Sequence, residues 1–179
     1  GRLPLALAGL RAPGGGSTVS GAADDVELVV VDPAEDDAQH CLRRYFAELN
    51  ERFDAGYDPG TALPLELDEM RAPRGRFLLA RRGDEPVGCG VLKLHGAEPA
   101  EIKRMWVSPT ARGIGLGRRL LTELEVLAAA EGAPAAQLET NRALGEAIAM
   151  YRSSGYVEVP AFNDEPYGHH WFRKDLAGH

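Results

Sequence analysis

The residues with the most evident chemical use stand together, at Arg112-Gly113-Ile114-Gly115-Leu116-Gly117, with Arg118 and Arg119 directly behind them. Three glycines and three arginines in eight residues suit a diphosphate. Glycines at alternate positions let main chain approach an anion with no Cβ in the way. A helix starting at about Gly115 would leave about four amide N–H groups without intrahelical partners, and its dipole would add partial positive charge. Read as a plain strand-to-helix turn, the same run would need glycine only for its geometry. Two other phosphate loops do not fit. A GxGxxG fingerprint counted from Gly113 or Gly115 would need glycine where Arg118 or Leu120 stands, and no GK[ST] follows.

The flanking periodicities predict the elements that must hold this loop. Ala100–Val107 reads as a strand leading into it, through Ser108-Pro109-Thr110-Ala111. A helix is predicted from about Gly115 to Glu131, with Leu116, Leu120, Leu121, Leu124, Leu127 and Ala128 at three-to-four-residue spacing. A short strand, Ala136–Glu139, and a helix, Leu144–Ser154, come next, and Gly155 closes that helix. Upstream, Val26–Val31 reads as a buried strand and Glu35–Phe53 as an amphipathic helix. Residues 54–75 form a loop with a short helical piece near Leu65–Met70. Strands are predicted at Arg76–Arg81, Pro86–His95, Tyr156–Val159 and His170–Lys174, the last two around the loop Ala161–Gly168. The Gly-, Ala-, Ser- and Pro-rich residues 1–24 read as a flexible leader, with one helical turn at Leu3–Leu10, and 25–179 as a single domain.

Composition narrows the partners. With 44% hydrophobic and 26% charged residues the chain is of ordinary globular type. A formal net charge of −7, with no long basic run, argues against nucleic acid as a partner. No apolar run reaches the roughly 18 residues of a membrane helix, and the opening segment lacks the cleavage site of a signal peptide. Cys41 and Cys89 are read as free buried thiols, which suits a cytoplasmic protein, and no zinc set can be assembled. The adjacent His169 and His170 point to opposite faces of a strand and cannot readily share a metal.

Arg112-x-x-Gly115-x-Gly117 resembles the [Q/R]xxGx[G/A] pyrophosphate loop of the GNAT acetyltransferase superfamily. Glu101–Val107 is similar to the strand before that loop, and Leu138-Glu139-Thr140-Asn141 to the strand after it. Ala147–Gly155-Tyr156 resembles the following helix with its Tyr-x-x-x-Gly-aromatic ending. The likeness covers about residues 26 to 175, and Asn163–Phe172 looks like a bacterial branch of the superfamily. It implies an α/β (α+β) fold: a mixed, mostly antiparallel sheet of about six to seven strands flanked by helices. A V-shaped splay is then expected between the fourth and fifth strands.

The resemblance also implies the chemistry. Acetyl-CoA would be the cosubstrate and an unassigned primary amine the acceptor, attacking directly without an acyl-enzyme; a homodimer is compatible with this. Arg112, Gly113, Ile114, Gly115, Leu116, Gly117 and Arg118 would hold the diphosphate. Backbone groups of Met105, Trp106 and Val107 would pair with the pantetheine arm, and an amide there, Met105 foremost, would bond the thioester oxygen. Asn141 would bond the pantetheine amide, unless it is a plain loop or cap residue. Glu101, eleven residues before Arg112, is the candidate general base, directly or through water; its alternative is to pair with Lys103 or Arg104. Tyr151 is the candidate acid for the departing thiolate. Tyr45, Phe46, Arg52, Phe53 and Tyr57 would border the acceptor pocket or pack as core. The alternative from another class is an acyl-CoA-binding sensor without catalysis.

Overall fold

A computed structural model describes residues 25–176. The leader expected at 1–24, with its helical turn at Leu3–Leu10, lies outside the described residues. The order is β1 (Val26–Val31), α1 (Asp36–Arg52), β2 (Gly75–Arg82), β3 (Glu85–Lys93), β4 (Ala100–Val107), α2 (Leu116–Ala130), β5 (Ala135–Thr140), α3 (Gly145–Ser153), β6 (Val157–Val159) and β7 (His170–Asp175). Short 3-10 turns occupy Leu67–Met70 and Pro109–Ala111.

All seven strands form one sheet in the order β1-β2-β3-β4-β5-β7-β6. Every neighbouring pair is antiparallel except β4 and β5. The expected mixed sheet is thus present, and so is its opening. The β4–β5 ladder holds only Ala100↔Ala136 and Glu101↔Gln137. Beyond Glu101 the strands part, leaving that edge of β4 without a strand partner.

Alternation along the strands divides the core. In β2, Phe77 and Leu79 face one side and Leu78 and Ala80 the other. Helix α2 covers one face with Leu116, Leu120, Leu121 and Leu124 against Leu78, Leu92, Leu138 and Phe172. Helix α1 covers the other with Ala38, Cys41 and Leu42 against Phe77, Leu79, Val91 and Trp106. Asp36 and Asp37 in the first turn of α1 and Arg52 in its last complement the helix dipole. Cys41 and Cys89 are free and wholly buried. Their Sγ atoms donate to Gly88 O at 3.7 Å and Arg104 O at 3.4 Å.

One irregularity matters for the site. The β3–β4 register runs Cys89↔Trp106 and then Val91↔Lys103, so Arg104 and Met105 stand opposite Gly90 alone. Arg104 has φ +54, in the left-handed region that side chains avoid. This β-bulge changes the parity of the strand. Ile102, Met105 and Val107 pack with the α2 core, while Trp106 belongs to the α1 core. Arg104 lies on the α1 side as well, with its guanidinium 5.0 Å from the Phe46 ring centroid. At Gly90, an added Cβ would come within 2.7 Å of Leu124 Cδ1, so Leu124 of α2 would have to shift for any side chain opposite the bulge.

Candidate functional site

The glycine loop stands at the mouth of the β4–β5 opening. Gly115 is the N-cap of α2 at φ +80, and no side chain caps the helix. The first intrahelical bond is Arg119 N to Gly115 O, so the amides of Leu116, Gly117 and Arg118 lack helical acceptors. The glycines serve different ends. Gly113 and Gly115 both have φ +80 and open space above them, whereas a Cβ at Gly117 would meet Met150 Sδ at 3.1 Å. The first two admit an anion; the third lets α3 lie against α2. Leu116 is buried in the core and Ile114 packs against it, so these side chains anchor the loop.

The loop arginines are held by neighbouring elements. Arg112 donates from Nε to Val107 O at 3.0 Å and pairs through Nη2 with Glu48 of α1. Arg118 donates to Ser154 Oγ at 3.1 Å and to Ser153 Oγ, beside the end of α3. Both arginines belong to the segment that carries the open amides of α2.

At the base of the opening, on the α1 side, is a cavity of about 120 Å³. Lys103, Arg104 and Met105 of β4, Glu139, Thr140 and Asn141 from β5 and its end, and Tyr151 of α3 line one part of it. Tyr45, Phe53 and Tyr57 line another, and Tyr57 packs 4.7 Å from Tyr167. Phe46 stands behind Tyr57 at 5.9 Å, and Arg52 instead ties α1 to α3 through Glu146 at 2.7 Å.

The candidate site residues separate here. Tyr151 is buried, borders the cavity and gives its hydroxyl no hydrogen-bond partner among the described residues. Burial first, and then the charge of Glu139, pushes its hydroxyl up to about 12. Asn141 also borders the cavity, but its amide already donates to Tyr167 O at 2.9 Å and accepts from Ala143 N at 2.8 Å. Glu101 lies at the closed end of the opening, where β4 and β5 still pair, and is not among the cavity-lining residues. Its carboxylate is 3.5 Å from Lys103 Nζ and 3.7 Å from His95 Nε2, which matches the ion-pair alternative. Lys103 bonds Glu139 at 2.9 Å. Burial alone would lower the Lys103 ammonium, but Glu139 and Glu101 outweigh it and hold the group above its ordinary range.

Sequence reasoning misses Glu165 and Tyr167, which line the cavity from the loop between β6 and β7. Burial raises the Glu165 carboxyl, against a bond from Leu63 N. Their only signal was the density of acidic and aromatic residues in Asn163–Phe172. His169 Nδ1 accepts from Arg142 N at 3.1 Å and His170 Nδ1 meets Glu158 at 2.5 Å. Among the described residues no group of three or more His, Cys, Asp or Glu could hold a metal ion, and no helix is long and apolar enough to cross a membrane.

A sheet opened between its fourth and fifth strands, with helical amides at the mouth and an ionisable cavity at the base, is laid out for acyl transfer. The chain belongs to the Acetyltransferase (GNAT) family, which it matches over residues 35–156, and is an acyltransferase. It is 43% identical over 105 residues to the IAA acetyltransferase of Azospirillum brasilense, across 58% of this chain and 67% of that one. It is 35% identical over 126 residues to the N-alpha-acetyltransferase RimI of Mycobacterium tuberculosis, across 69% and 74%. A GNAT family acetyltransferase from Elizabethkingia anophelis, solved with acetyl-CoA bound, shares the fold with a TM-score of 0.57 at 16% identity, over 85% and 99% of the two chains.

Proposed function

We propose that this chain uses acetyl-CoA to acetylate a primary amine by direct attack. The observation that carries this reading is the opening itself: an unladdered edge of β4 runs from the open amides of α2 to a cavity holding Tyr151. Those features fit the cosubstrate. Space above Gly113 and Gly115 suits a diphosphate, and Arg112 and Arg118 belong to the same segment. The free backbone edge at Met105, Trp106 and Val107 suits an amide-bearing arm, although Val107 O already accepts from Arg112. When bound, acetyl-CoA supplies an activated acyl thioester.

The chain's own groups do the rest. The Met105 amide, at the bulge, stabilises negative charge developing on the acyl oxygen. Tyr151 delivers a proton to the departing sulfur; as a buried phenol it keeps that proton at any physiological pH. Proton removal from the amine has two candidates. Glu101 would act from behind Lys103 by way of a water, whereas Glu165 borders the cavity with a carboxyl raised by burial, which improves its match to an amine. Glu165 is therefore the nearer base. Asn141 acts by pinning the Tyr167 wall rather than through a free amide.

Release of free thiol from acetyl-CoA across a panel of amines tests the reading. Turnover with at least one primary amine, and its loss in Glu165→Gln but not Glu101→Gln, is the expected result. Tight binding of acetyl-CoA with no turnover on any amine would favour a sensor.

A further inference from the structure

Resting on the reading of this cavity as the acceptor site, we propose that the acceptor is a zwitterion: a small amino acid whose carboxylate lies on Arg104 and whose amine lies toward Glu165. The ions of the cavity carry the argument. Its cations are Lys103 and Arg104, and its carboxylates are Glu139 and Glu165. Lys103 is committed to Glu139 at 2.9 Å and to Glu101 at 3.5 Å. Arg104 has no carboxylate within ion-pair distance among the described residues. Its contacts are Met70 Sδ at 3.9 Å and the face of Phe46. Neither can occupy the five N–H donors of a guanidinium. A half-buried guanidinium with donors to spare in the wall of a cavity is placed to receive an anion from a bound molecule.

The surroundings narrow that anion. The β-bulge brings Arg104 to the α1 side of β4, and Tyr45 and Tyr57 share the cavity with it. Neither tyrosine hydroxyl has a hydrogen-bond partner among the described residues. The Tyr45 hydroxyl feels Tyr57, Tyr151, Arg104 and Glu139 at once, so these groups share one space. Arg104 and two phenols offer a fork of donors that suits a carboxylate. A doubly charged phosphate would face two carboxylates with one uncommitted cation. A polyamine would set positive charge against Arg104 and leave it unpaired. Two cations against two carboxylates make the cavity neutral, the balance a zwitterion preserves. Its volume of about 120 Å³ lies well below the roughly 300–1,000 Å³ of pockets that enclose drug-sized ligands, so the acceptor is small. Phe53 and Tyr167, 5.8 Å apart, give an apolar side chain a wall.

Matched pairs test this: alanine with ethylamine, valine with isobutylamine, and each amino acid with its amide. Thiol release gives kcat and KM, and calorimetry on coenzyme A-loaded protein gives binding without turnover. The free amino acids are expected to exceed their decarboxylated partners by at least about 10-fold in kcat/KM. Arg104→Gln should raise their KM about 10- to 100-fold, bring acids and amines to within a few-fold of each other in kcat/KM and keep coenzyme A affinity. Arg104→Lys should recover part of the preference. Equal rates for acids and amines, or a preference that survives Arg104→Gln, overturns the proposal while leaving amine acetylation intact. Amino acids that bind through Arg104 without turnover support the anion site and defeat the catalytic reading instead; amino acids that neither bind nor react overturn the site.

Discussion

Tyr151 and Glu101 show how equal-looking candidates diverge once neighbours are known. Both stand at the right places in the sequence, yet Tyr151 borders the cavity with a free hydroxyl and Glu101 sits behind Lys103. Tyr151→Phe removes one oxygen from a site where the ring still packs 6.0 Å from Tyr156 and 6.1 Å from Phe172. Turnover should fall roughly 100-fold or more, with acetyl-CoA affinity unchanged by calorimetry. Unaltered turnover would remove Tyr151 from the reaction. Arg104 was not legible as a cavity residue, because strand alternation gives no sign of a bulge. Its partner Gly90 carried the only trace, a glycine within a strand-forming run.

At the level of elements, the sequence foretold most boundaries. The predicted β1 and β4 spans coincide with those observed, and α1, α2 and α3 differ by one residue at each end. Apolar periodicity and terminal glycines explain that agreement, since each is a local signal. The opening between β4 and β5 was reached only through resemblance, because strand pairing is settled by distant residues. The loop between β6 and β7 lacks periodicity of any kind, so its role as a cavity wall was hidden. The loop before α2 allows a separate test. Gly115→Ala puts a Cβ into open space but at φ +80, which costs about 1–2 kcal/mol. Urea unfolding should register that loss, and acetyl-CoA should bind more weakly because the first amides of α2 are re-aimed. Gly117→Ala, where φ is ordinary, should disturb Met150 and spare binding.

For the whole molecule, burial of tyrosines sets an alkaline limit. Tyr57 and Tyr151 are pushed up to about 12, and Tyr45 and Tyr156 are also raised, each chiefly by burial. An unfolded tyrosine ionises near ~10. The unfolded chain therefore sheds protons first, and stability present below about pH 10 is lost as pH rises toward 12. Thermal melts should be level from neutrality to about pH 9.5 and then fall steeply; a melting temperature that holds constant to pH 11 would contradict this. Tyr156 contributes through its bond to Glu125, at 2.8 Å, which Lys174 also engages at 2.9 Å.

Both thiols of this protein are sealed between α1 and the sheet, with no exposed surface at either cysteine. A colorimetric disulfide reagent added to the native enzyme therefore has nothing of the protein's own to titrate. Whatever yellow develops during turnover belongs to liberated coenzyme, and a sudden extra two equivalents signals that the α1 layer has come away.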